Sequence, residues 1–244
     1  MSKLQRISRG ASPPLGFRAA ATPNETPVVL IAAVTEGEAK AAAVEGADAV
    51  LISQVKLKGE SLAQIVDSLA EVPWGVSLEE VTAPELSKLK EMGCDFLVFD
   101  AARAPLMLLR EQEMAKIVKV EPSVADGLAR AIEQLPIDAV LIGAEGELSL
   151  SVHRLLVCQN LANLVRKPLL TLAPLAMGGE DLEELLQTGI AGVVVNLERG
   201  VKGELSQLRQ AIDALPPSRR RKRRAEALLP YVREEEIVEP EEED

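Results

Sequence analysis

The chain carries a single histidine, His153, among its 244 residues. It falls within a helix-patterned stretch, mid-helix and on the expected outer surface. A histidine-based triad and a zinc centre built on several imidazoles are therefore excluded. Aromatic residues make up 2% of the sequence, with three Phe, one Trp and one Tyr, too few for stacking on nucleic-acid bases. The two cysteines, Cys94 and Cys158, lie far apart without ligand-type spacing and beside apolar neighbours. They read as reduced thiols of a cytoplasmic protein, Cys158 as a core or surface thiol rather than a nucleophile. No apolar run approaches the roughly 20 residues that cross a bilayer; Val28–Val34 is among the longest. No transmembrane segment is expected. Lys3, Arg6 and Arg9 lead into no apolar segment, so no secretory signal is expected either. Walker-type loops and GxGxxG fingerprints are missing. The net charge of −11 disfavours nucleic acid as a partner, sequence-specific recognition included. Much of that charge sits in Glu234-Glu235-Glu236 and from Glu239 to Asp244.

What the chain does have is apolar residues, 47% of the total, rich in Ala, Val and Leu. They come as short strand-like runs roughly every two dozen residues, each followed by a helix-patterned stretch. Strands are expected to begin near Val28, Ala49, Trp74, Phe96, Ile117, Ala139, Leu169 and Gly192. Helices are expected over Glu36–Val44, Ser61–Ala70, Ala83–Met92, Ser123–Leu135 and Asp181–Gln187, with Leu148–Val165 the longest helical stretch. Thr82-Ala83-Pro84-Glu85 has the composition of a helix start: a capping hydroxyl, then Pro and an acid in the first turn. Roughly eight strand–helix pairs with nothing left over predict a (β/α)8 TIM barrel, an α/β fold. An open doubly wound sheet is the competing arrangement.

A weak repeat suits either arrangement, and the count of eight with nothing left over favours closure. Gly46-Ala47-Asp48, Gly93-Cys94-Asp95, Pro136-Ile137-Asp138 and Gly189-Ile190-Ala191 each precede an even-numbered strand. A unit recurring roughly every 45 to 50 residues is a quarter barrel. The organisation expected is a polar arm over 1–26, a barrel over 27–216 and a basic-then-acidic tail over 217–244. In the arm, Pro13-Pro14-Leu15-Gly16 stops any helix and Phe17 is expected to dock on the barrel bottom. The barrel is short for a fold that typically runs to about 250 residues. Most loops must therefore be brief, apart from Gln54–Glu60 and the segment after the seventh strand. In the tail, the basic run Arg219–Arg224 precedes two potential helical turns and the terminal acids. Such a block pattern reads as a disordered or weakly helical segment able to meet a protein or an anionic surface. An apolar helix face leaves room for a homodimer.

One stretch has a family look. Leu169 to Leu197, LLTLAPLAMGGEDLEELLQTGIAGVVVNL, resembles the last two βα units of aldolase-type, phosphate-binding barrels, including nitronate monooxygenase and IMP dehydrogenase-like groups. In those families the loops after the last two strands hold a phosphate through backbone N–H groups and a helix N-terminus. The resemblance implies phosphate contacts at Gly178, Gly179, Asn196 and Arg199, with FMN as one cofactor it would suit. The chain departs from that pattern at Asn196-Leu197-Glu198, where the family places a small residue. Glu198 would repel a phosphate and Arg199 would offset it. The plain alternative is that Gly178-Gly179 makes a tight turn before a helix.

Strand alternation supplies the remaining candidates. In Ile117-Val118-Lys119-Val120-Glu121 the valines should face the helices, leaving Lys119 and Glu121 inward. In the third strand Trp74, Val76 and Leu78 go outward and Gly75, Ser77 and Glu79 inward. Asp100 ends the fourth strand and Glu145 follows the sixth. The mouth should thus hold Glu79, Asp100, Glu121 and Glu145 around Lys119. Lys119 could form an imine, a role the surrounding acids oppose by raising its pKa. It could donate to an anionic ligand such as a reduced flavin ring. The carboxylates could hold Mg2+. Or the set could be a buried ion-pair layer with no chemistry. Two functions stay open: a barrel binding a phosphorylated small molecule or FMN, of lyase, aldolase or flavin-dependent type, and a degenerate barrel serving as a scaffold through its tail.

Overall fold

In the computed structural model the described residues are 28–35, 46–53, 61–69, 72–143, 150–197 and 203–215. The arm with Phe17, the helix expected over Glu36–Val44, the Gln54–Glu60 loop, Glu145, Glu198, Arg199 and the tail lie outside them.

Eight parallel strands close into a barrel in chain order. They are β1 (Val29–Val34), β2 (Ala49–Ile52), β3 (Trp74–Leu78), β4 (Phe96–Asp100), β5 (Ala115–Val120), β6 (Ala139–Ile142), β7 (Leu169–Ala173) and β8 (Ile190–Asn196). The helices described are α1 (Ser61–Ser68), α2 (Ala83–Glu91), α3 (Asp126–Glu133), α4 (Val152–Leu164), α5 (Gly179–Gln187) and α6 (Glu204–Ala214). Between β4 and β5 a short 3-10 helix, Leu106–Arg110, takes the helix's place. The fold is a TIM barrel. Pairing of β1 with β8, from Val29 opposite Gly192 to Ala33 opposite Asn196, closes it and rules out the open sheet.

Alternation splits the apolar residues into two cores. Ile31, Ala33, Leu51, Phe96, Val98, Ile117, Leu141, Leu170 and Val194 fill the barrel interior. Leu30, Val50, Val76, Leu97, Val118, Val140 and Val193 face the helices. The helices answer with buried stripes at helical spacing, such as Leu62, Ile65 and Leu69, or Leu205, Leu208 and Ile212. Each such side chain contributes about 1.5–3 kcal/mol relative to exposure. Gly75 is needed beside Phe96, because a Cβ there would overlap the Phe96 ring and carbonyl.

The sequence repeat has a physical counterpart at the strands' N-terminal ends. Asp48 N–H donates to Leu30 O at 2.9 Å, while its Oδ2 accepts from Leu30 N–H at 2.8 Å. Asp95 makes the same two-way clamp on Trp74, at 2.9 Å and 3.2 Å. Asp138 makes it on Lys116, at 2.8 Å and 2.9 Å. The fourth copy has Ala191 instead. There the register slips between Leu169 and Leu170, which pair with Ile190 and Gly192 and leave Ala191 as an extra residue. Arg209 of α6 binds both Asp48 oxygens, at 3.0 and 2.9 Å, so the last helix is latched to the first strand pair.

Several boundaries differ from expectation. β5 starts at Ala115 because Lys116, though charged, faces the helix layer and donates to the carbonyls of Leu109 and Glu111. β8 starts at Ile190 ahead of the bulge. α3 begins only at Asp126, since Val124 N–H turns back to Glu121 O. α4 begins at Val152, capped by Ser151 accepting from Arg154 N–H at 3.2 Å. His153 therefore lies exposed in the helix's first turn rather than mid-helix. α2 starts as its sequence indicates: Glu85 accepts from Thr82 N–H at 2.9 Å and from its hydroxyl at 2.8 Å.

Candidate functional site

The C-terminal rim of the strands is where this fold assembles its chemistry. Ile117 lies in the inner core while Val118 and Val120 lie in the outer one, so Lys119 shares the inward face, half-buried. Its register partner on β4 is Asp100, also half-buried, and its partner on β6 is Leu141. An ammonium and a carboxylate thus occupy adjacent strands at one level of the rim. Ser77 sits one level lower, opposite Val98.

Asp100 also builds the turn that follows it. Its Oδ1 accepts from Ala102 N–H at 2.8 Å. Its carbonyl accepts from Arg103 N–H at 3.2 Å and Ala104 N–H at 3.0 Å. Arg103 projects from that turn to Glu79, just past β3, at 3.2 Å. The mouth expected to carry a lone lysine thus has a second cation. Arg103 leaves no signal in the sequence, because strand parity says nothing once the chain has entered a turn.

Each of the three expected acids among the described residues has a partner of its own. Glu79 is taken by Arg103, Asp100 by its own turn, and the exposed Glu121 accepts from the Ser123 hydroxyl at 3.2 Å. Among the described residues no three acidic, histidine or cysteine groups are placed to hold a metal ion. A Mg2+ site built on Glu79, Asp100 and Glu121 does not fit this arrangement. Gly178 and Gly179 are exposed at the start of α5, Gly178 as its N-cap. Gly178 N–H donates to Asp181 Oδ2 at 3.4 Å, and Glu180 and Asp181 both lie in the first turn. Two acids beside that helix end oppose an incoming anion, while Arg199, the other residue expected there, lies outside the described residues. Asn196 ends β8, exposed, opposite Ala33.

Beneath the rim, Arg154 of α4 is only 5% exposed. Its Nη2 donates to Ile142 O and to Thr171 Oγ1, each at 3.0 Å. It thereby ties the end of β6 to β7. The sequence carried a signal for it: Arg154 shares the buried stripe of Cys158 and Leu161, where an arginine is out of place. Cys158 is fully buried. Burial pushes its thiol pKa up, against the pull of Arg154 and Thr171.

No protein-family model matches the chain, and no curated protein matches it. Solved structures do. A mutant tryptophan synthase alpha-subunit from the hyperthermophile Pyrococcus furiosus is similar with a TM-score of 0.60 at 15% identity, over 77% of this chain and 98% of that one. Thiamine phosphate pyrophosphorylase from Pyrococcus furiosus gives a TM-score of 0.57 at 14% identity, over 78% of this chain and 98% of that one. N-(5'-phosphoribosyl)anthranilate isomerase from the same organism gives 0.55 at 16% identity, over 76% and 100%. At such identities the likeness speaks to architecture, and the architecture it speaks to is the TIM barrel.

Proposed function

We propose that this barrel binds a phosphorylated small molecule at its C-terminal mouth. The observation that carries the reading is Lys119, half-buried on the inward face and beside Asp100 in the sheet. An ammonium held at a barrel rim favours an anionic group, and a carboxylate next to it can accept a proton. Two of the similar structures are enzymes whose names include a phosphate-bearing compound, which supports the same ligand class. In this reading the anionic group sits on the β3–β5 side of the mouth, away from the acidic start of α5. Ser77 and Asn196 bear on the ligand's hydroxyl-bearing part. The chemistry then available is of lyase or aldol type, with Lys119 polarising a carbonyl and Asp100 taking the proton.

The test is native mass spectrometry on gently purified protein, followed by titration of the compound found into wild type and Lys119→Met. Loss of about tenfold or more in affinity is expected, since a charge-assisted contact disappears. Equal affinity in the two proteins would refute the assignment. The competing reading, a non-catalytic scaffold, draws on the dispersed acids of the rim. A protein that purifies empty and binds no phosphorylated compound would favour it.

A further inference from the structure

Glu79 and Arg103 stand 24 positions apart in the sequence yet meet across the rim at 3.2 Å. Their side chains are 76% and 63% exposed, so water screens the contact and it adds little to stability. The position of Arg103 comes from its main chain. Asp100 O accepts its N–H at 3.2 Å, and Asp100 Oδ1 pins Ala102 at 2.8 Å. The turn is thus fixed to the residue that neighbours Lys119 in the sheet. A guanidinium is a planar fork of donors that matches two phosphate oxygens at once. A phosphate dianion carries more charge than the single carboxylate of Glu79.

We infer that Arg103 is an exchangeable anion-binding residue, held by Glu79 until a ligand's phosphate takes it over; this rests on the phosphate reading above. Glu79 then sets the threshold that an incoming anion must exceed to reach Arg103. A monoanionic carboxylate only matches the charge Glu79 already offers Arg103, whereas a dianionic phosphoryl group brings more charge and further acceptor oxygens to the fork and displaces it. The substrate class is accordingly phosphate monoesters rather than carboxylic acids of similar size.

Inorganic phosphate and acetate are the probes, titrated at low salt into wild type, Glu79→Gln, Arg103→Met, the double variant and Lys119→Met, with binding read by calorimetry. Glu79→Gln should tighten phosphate about threefold, because a screened surface pair is all that opposes exchange. Arg103→Met should weaken phosphate about tenfold, and the double variant should match Arg103→Met. Should the Glu79→Gln gain persist in the Arg103→Met background, removal of simple repulsion explains it and the exchange is refuted. Should Lys119→Met alone lose phosphate while Arg103→Met binds as wild type does, the ligand reading stands and the role of Arg103 falls. Phosphate bound equally by all five proteins, or by none, overturns both.

Discussion

Replacing Asp48 with Ala removes two things at once. Oδ2 accepts from Leu30 N–H at 2.8 Å, and Leu30 is fully buried, so that donor loses its acceptor where water does not reach. A stranded buried donor costs about 1–3 kcal/mol. The Arg209 contact, with both oxygens within 3.0 Å, goes as well. Its side chains are 18% and 25% exposed, which keeps its worth near the upper end of about 0–1 kcal/mol for solvent-accessible pairs. Arg209 retains Asp213 at 2.9 Å, which limits that loss. The expected fall is about 2–4 kcal/mol, or roughly 5–15 °C in Tm for a domain of this size. Asp48→Asn keeps an acceptor for Leu30 and should lose about half as much. Asp95→Ala, whose carboxylate reaches Trp74 N–H at the longer 3.2 Å, should fall between them. Urea unfolding at neutral pH measures all three through the midpoint, with the slope unchanged. If Asp48→Ala costs less than about 0.5 kcal/mol, within the range of ordinary surface changes, or costs no more than Asp48→Asn, the clamp is not a stabilising element.

Three further outcomes follow from the packing. Gly75→Ala forces a methyl group into Phe96 and should destabilise by about 1–3 kcal/mol; thermal melts check this, and an unchanged Tm would contradict the close approach. Burial pushes the Glu111 carboxyl up, but the N–H groups of Glu113 and Gln112 and the ammonium of Lys90 outweigh it and hold it below its ordinary value. Its stabilisation is therefore complete above the ordinary carboxylate value of 4.5 and lost as pH falls through the lowered one. Glu111→Gln should flatten that acid limb in pH-dependent urea titrations, and an unaltered limb counts against it. Burial also pushes the Cys94 thiol up to about 12, and both cysteines are buried. An aromatic disulfide reagent at neutral pH should react only as fast as the chain unfolds, so a fast-reacting thiol in the folded protein would refute the placement.

The barrel was legible because its signal is periodic. Leu62, Ile65 and Leu69 mark a helix face, and Trp74, Val76 and Leu78 mark one face of a strand, through spacing alone. The repeat ahead of the even-numbered strands, with Asp in three of its four copies, was visible too. Its meaning was not, since each carboxylate bonds a strand 18 to 22 residues upstream and no local pattern encodes such a partner. The start of β5 was not legible, since Lys116 joins the strand with its ammonium received by carbonyls outside it. The carbonyls that receive it come from the 3-10 segment, whose Pro105 and irregular spacing gave no helical period. At the mouth, parity put Lys119 on the inward face, and Asp100 was legible only as the end of its strand; the register makes them neighbours. Glu79 and Glu121 stand past their strands' ends, where alternation no longer sets direction.

The latch between Arg209 and Asp48 joins residues 161 positions apart, and the β1–β8 seam spans a similar length of chain. During synthesis, β1 and β2 leave the ribosome long before the helix that fastens them. Throughout that interval one flank of β1 offers unmet amide and carbonyl groups to any neighbouring nascent chain. Closing so long a loop comes late and slowly. The vulnerable period in this protein's life is therefore the stretch of translation between β1 and β8, and a message truncated before Ile190 would release a sheet that cannot shut.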